Sequence, residues 1–113
     1  MICSPEAVLA KGVAGVVIDG AVRDAASIAE LGLPVWAAAR TPAGPTKNGP
    51  GWIGTTIACG GLVVAPGDLI VGDDDGVAVV PQAIIERTQT RLVEIERFEA
   101  EKREQYRNQA RNR

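Results

Sequence analysis

An α/β fold with more than one sheet element and a long C-terminal helix is predicted from three observations. A β-branched run, Val13 to Ile18, leads through Gly20 into a helical pattern, which reads as a strand followed by a helix. A later region carries short apolar runs separated by turn residues at hairpin spacing. From Pro81 onward apolar residues fall at steps of three and four on a charged background.

The elements follow in order. Ser4-Pro5-Glu6 supplies an N-cap, a proline at the first helical position and an acid in the first turn, opening a short helix that ends at Gly12. Val13 to Ile18 is the first strand. Asp24 or Ser27 begins a second helix that turns Ile28 and Leu31 inward and ends near Gly32. Leu33 to Ala37 reads as a strand whose proline, Pro34, puts its start at a sheet edge. Thr41 to Gly51, with three glycines and three prolines around Lys47, is a loop. Strands are then expected near Ile53–Ala58, Leu62–Val64, Leu69–Val71 and Val77–Val80, in antiparallel or mixed pairing. Ile85, Thr88, Leu92, Ile95 and Phe98 form a narrow apolar seam on the final helix, which is expected to fray beyond Tyr106.

At 113 residues the chain is one domain, 1–113, with a core built from Val, Ile, Leu and Ala, because aromatics make up only 4%. The net charge of −2 gives no reason to expect nucleic acid or an anionic membrane as partner. There is no histidine, so His-based triads, His proton shuttles and the usual zinc sites are excluded. Two cysteines, Cys3 and Cys59, without C-x-x-C spacing or a signal-like segment suggest reduced thiols and a cytoplasmic location. No apolar run is long enough to cross a bilayer.

The chemistry-bearing candidates are few. Gly15 to Asp24 ends an apolar strand at Gly20 and places Arg23 beside Asp24 at a sheet rim, where open α/β folds bind ligands. A guanidinium and a carboxylate there suit an anionic substrate and a hard divalent cation. Equally, Asp24 can serve as a helix N-cap with Arg23 as its ion-pair neighbour. Asp73-Asp74-Asp75-Gly76 lacks the alternating spacing of a calcium loop and reads as a hairpin turn. Cys59 reads as a buried structural thiol. Lys47 could contact an anion, and the loop around it offers no apolar pocket for imine chemistry. The acids and bases of the final helix interleave, which fits a solvated face or packing against another subunit.

The run Gly12 to Asp24, together with Leu33-Pro34-Val35, Thr41-Pro42, Gly44-Pro45, Gly49-Pro50-Gly51, Cys59-Gly60-Gly61, Pro66-Gly67-Asp68 and Gly72 to Gly76, resembles the family containing 4-hydroxy-4-methyl-2-oxoglutarate aldolase and the regulator of ribonuclease activity A. The resemblance spans about residues 12–82, with a helix of the family's kind at about 82–106. It implies a layered β/β/α fold of the swivelling-domain type, assembled as a homotrimer or a dimer of trimers. It implies a class II aldolase using Mg²⁺ or Mn²⁺ to cleave a 4-hydroxy-2-oxo diacid to pyruvate, often with oxaloacetate decarboxylation. In that scheme Asp24 matches the metal ligand, and Arg23 the arginine that holds the substrate and stabilises the enolate. Glu99 matches an acid reaching the metal water of a neighbouring subunit. The regulator branch implies a binding protein without catalysis, its arginine followed by a residue other than aspartate. Family members carry about half a domain more upstream, with a Gly-rich loop that binds the substrate carboxylate. Here Met1 to Lys11 precede the match, so the chain resembles an N-terminally shortened form. An inactive remnant that keeps only the fold is a third expectation.

Overall fold

The structure, a computed structural model, describes residues 4–46 and 48–113. Helix α1 (Pro5–Ala10) is capped by Ser4, whose hydroxyl accepts from the Ala7 N–H. Strand β1 (Val16–Val22) and strand β2 (Val35–Arg40) pair in parallel, and α2 (Ala25–Glu30) makes the crossover between them. Two antiparallel hairpins follow, β3 (Ile57–Cys59) with β4 (Leu62–Val64) and β5 (Leu69–Asp73) with β6 (Gly76–Val80). A single 3₁₀ turn, Gln82–Ile84, leads into α3 (Ile85–Arg111).

These pieces stack as β/β/α. Val16 and Ile18 of β1 face the side where α1 and α2 lie, sharing a cleft with Val8 and Ile28. The opposite face of the β1–β2 pair meets the hairpins. There Asp19 Oδ2 accepts from the Gly60 N–H at 3.0 Å, and the Trp36 indole N–H donates to the Asp73 carbonyl at 2.9 Å. Trp36 lies so close to Gly72 that a Cβ on that glycine would sit 2.5 Å from the ring. Gly72 is therefore glycine for lack of space, and the indole locks β2 to the second hairpin. Leu33, 5% exposed, is the one buried hydrophobic side chain among the described residues.

Several boundaries differ from expectation. The first strand begins at Val16 and runs through Gly20 to Val22, rather than covering Val13 to Ile18. Its register against β2 slips between Ile18 and Ala21, so Gly20 sits in a bulge instead of ending the strand. Leu33 turns inward and Leu31 does not, because the positive φ of Gly32 reverses the chain after α2. The strand expected from Ile53 is short, Ile57–Cys59, with bends before it. Cys59 is half-buried rather than buried, since its two-stranded hairpin has only one face covered. The final helix continues to Arg111, five residues past Tyr106, with the Arg91–Glu94 and Glu99–Arg103 pairs along it. Its apolar seam is half-buried at Ile85 and Thr88, and exposed at Leu92, Ile95 and Phe98.

Turn chemistry follows the sequence closely. Gly60 and Gly61, both at positive φ, make the two-residue loop between β3 and β4. Asp74 and Asp75 form the loop between β5 and β6, and Asp73 Oδ1 accepts from the N–H groups of Asp75 and Gly76. The acidic triple is thus a turn, as its spacing indicates. Asp68 joins two elements: Oδ2 accepts from Ala65 N–H at 2.9 Å and Oδ1 from Gln82 N–H at 3.0 Å. Removing both charge-assisted bonds in Asp68→Ala should cost about 2 kcal/mol. Urea denaturation measures this; an unchanged midpoint would show that the two bonds contribute no net stability. Among the described residues no helix is long and apolar enough to cross a membrane.

Candidate functional site

The candidate site lies where β1 ends. Beyond the bulge at Gly20 the chain leaves the sheet at Val22 and turns sharply at Asp24, which has φ 59° and ψ 36°. Asp24 is the only described non-glycine residue at positive φ. Left-handed backbone costs an L-residue roughly 1 kcal/mol, least for Asn and Asp. Asp24 occupies the N-cap position of α2 and its carbonyl accepts from the Ile28 N–H at 3.0 Å, but its carboxylate makes no capping bond. The capping explanation for this aspartate therefore fails on geometry. Its carboxylate is directed instead toward Arg23, with Oδ2 3.6 Å from Nε, and remains largely exposed.

Arg23 is half-exposed and forms one wall of an open cleft of about 520 Å³. The opposite walls are apolar, from Val8, Ile18, Ile28 and Leu33, with the turn Thr41–Pro45 across one end. That turn is tied to the end of β1 by the Thr41 N–H, which donates to the Val22 carbonyl at 3.0 Å. Within it the Thr41 hydroxyl accepts from the Ala43 N–H at 3.1 Å. The result is a cation and a carboxylate at the mouth of an apolar cleft, an arrangement able to hold a small anion and one hard cation together.

The other sequence candidates do not gather here. Glu99 lies on α3, where its ion pair is with Arg103 at 3.7 Å. Lys47 falls outside the described residues. Cys59 lines a separate apolar pocket with Val17 and Leu62 on the far side of the sheet. Among the described residues no three His, Cys, Asp or Glu side chains converge into a metal cage. The donor set is compatible with Mg²⁺ only in its sparest form, since that ion is often held by one or two carboxylates while keeping several waters. Asp24 meets that minimum because none of its oxygens is taken by a capping bond. Two further contacts escaped the sequence reading: the Asp19–Gly60 bond and the seat of Trp36 on Gly72. Both join residues far apart in the chain, and no periodicity or turn signal reports such pairs.

Comparison with known proteins bears on this geometry. The RraA-like family model (Aldolase/RraA) matches residues 4–79. The chain belongs to the RraA-like family. A relative in Halalkalibacterium halodurans, provisionally named a 4-hydroxy-4-methyl-2-oxoglutarate aldolase, is 48% identical over 71 residues, covering 63% of this chain and 34% of that protein. An uncharacterised protein of Methanocaldococcus jannaschii is 47% identical over 70 residues, covering 62% of this chain and 34% of its own length. Among solved structures, Streptomyces coelicolor RraAS2, described as an unusual member of the RNase ES inhibitor RraA protein family, superposes with a TM-score of 0.79 at 36% identity. That match covers 87% of this chain and 50% of RraAS2. This RraA-like chain therefore spans about a third of the length of these curated relatives and half of the solved one.

Proposed function

We propose that this RraA-like chain carries the metal and substrate-anion half of a divalent-dependent lyase site acting on small 2-oxo acids. The carrying observation is the Arg23–Asp24 corner: a carboxylate with no capping bond, held in left-handed backbone and paired with a guanidinium that lines a cleft. The aldolase name borne by the bacterial relative supports the same reaction class. Asp24 is the residue that would hold Mg²⁺ or Mn²⁺, and the ion, when bound, would polarise the substrate's 2-oxo group.

The chain's own contribution is electrostatic. In cleavage of a 4-hydroxy-2-oxo diacid the C4 hydroxyl proton is lost to water, the C3–C4 bond breaks, and its electron pair becomes the enolate of pyruvate. In oxaloacetate the bond to the terminal carboxylate breaks instead, carbon dioxide leaves, and the same enolate forms. Either enolate then takes a proton at C3. Arg23 binds the substrate carboxylate and stabilises the negative charge that develops on the oxo oxygen. A homotrimer or a dimer of trimers, in which Glu99 of one subunit approaches the site of another, belongs to this reading.

The test is pyruvate release from oxaloacetate by the purified chain, with Mg²⁺ or Mn²⁺ against chelator. Metal-dependent release of pyruvate above the rate with metal alone is the expected outcome. Absence of release with either ion would overturn the catalytic reading for this chain. It would leave the second reading, a non-catalytic binding role, favoured by the structural likeness to a member of an RNase-inhibitor family.

A further inference from the structure

Glycine is used at position 44 for a reason other than backbone freedom. Gly12 and Gly32 close their helices at φ +76° and +78°, conformations that disfavour any side chain. Gly44 lies outside that region, so no left-handed φ demands glycine there. Space is the constraint. A Cβ built on Gly44 would stand 3.2 Å from Arg23 Nη1, the one heavy atom it would meet within 4 Å among the described residues. The turn carrying Gly44 is not free to retreat. It is tied to β1 through Thr41 and braced by the Thr41 hydroxyl, and Pro42 and Pro45 fix two of its φ angles.

We infer that Gly44 is a positioning residue for Arg23: its bare backbone is the surface that fixes where the guanidinium stands. Asp24 holds the opposite side of the group through Nε. Nε thus faces Asp24 and Nη1 stands over the space that a side chain at position 44 would fill, which leaves Nη2 for a ligand. A side chain at position 44 displaces the head by a few tenths of an ångström. The inference rests on the role proposed above for Arg23, and it concerns how that role is set.

Gly44→Ala and Gly44→Val test it in the full chain with Mg²⁺ and oxaloacetate. KM should rise about threefold for Ala and further for Val, with kcat lowered as well because the same guanidinium stabilises the enolate, and with the melting temperature held. In an Arg23→Ala background the same substitutions should leave KM where Arg23→Ala alone puts it, since there is no guanidinium left to displace. An equal KM increase in both backgrounds, or none in the parent, would overturn the inference. A second readout needs no turnover: the Nε–Hε resonance of Arg23 in ¹⁵N-labelled protein, assigned by its loss in Arg23→Ala. It should move in Gly44→Ala, and its response to added oxalate should weaken. A parent that binds oxalate but releases no pyruvate overturns the catalytic reading alone. A resonance unmoved by Gly44→Ala overturns the positioning role alone.

Discussion

Asp24→Asn should reduce divalent-dependent pyruvate release by about a hundredfold or more and leave the fold as stable as before. The two halves of that expectation have separate causes. Asparagine is nearly isosteric and enters the left-handed region as readily as aspartate, so the corner at φ 59° is kept. The carboxylate makes no capping bond whose loss would loosen α2. What disappears is the one anionic oxygen donor that the corner offers a hard cation, and removing a group that organises charge in the transition state typically costs this much. Steady-state rates over a Mg²⁺ titration, paired with thermal melts, read both quantities. Retention of parental activity at saturating Mg²⁺ would remove Asp24 from the metal role. A large fall in melting temperature would return it to a structural one.

The largest stability effect should come from Trp36→Ala, at about 3 kcal/mol. The Trp36 ring fills the space where side chains at positions 15 and 72 would stand, and its indole N–H donates to the Asp73 carbonyl across the layer interface. Truncation removes the ring packing and the hydrogen bond that join β2 to the β5–β6 hairpin in one step. With Leu33 the one buried hydrophobic side chain described, the layers are otherwise joined by the Asp19–Gly60 bond and by half-covered apolar side chains. Chemical denaturation should show a lower midpoint for Trp36→Ala than for Trp36→Phe, which keeps ring contact but not the indole donor. Equal midpoints for the two variants would mean that the ring contributes nothing beyond the hydrogen bond.

The fold was legible wherever local chemistry decided it. Ser4-Pro5 announced α1, Gly60-Gly61 and Asp73 to Gly76 announced two hairpins, and the three-four spacing after Pro81 announced α3. It was least legible where one residue altered the path. Gly20 looks like a strand terminator and is a bulge, because the pairing partner β2 supplies the ladder that the local sequence does not reveal. Leu31 and Leu33 are equally apolar, and only the reversal at Gly32 decides which goes inside. The Arg23–Asp24 pair was visible as two adjacent residue types. The failure of Asp24 to cap its helix, and the contact of Arg23 with Gly44, are properties of the turn in three dimensions.

The left-handed corner at Asp24 has a consequence for what neighbouring sequences can be. Three residue types sit there with little strain: Gly, Asn and Asp. Only one of the three carries a carboxylate. Every other comfortable choice yields a chain of the same shape, with the same cleft and the same arginine, and without the anionic oxygen to which the proposed function gives the cation. Shape and reactivity are uncoupled at this corner. Under the proposed function, a catalyst and a silent binding scaffold are therefore one substitution apart on a common backbone.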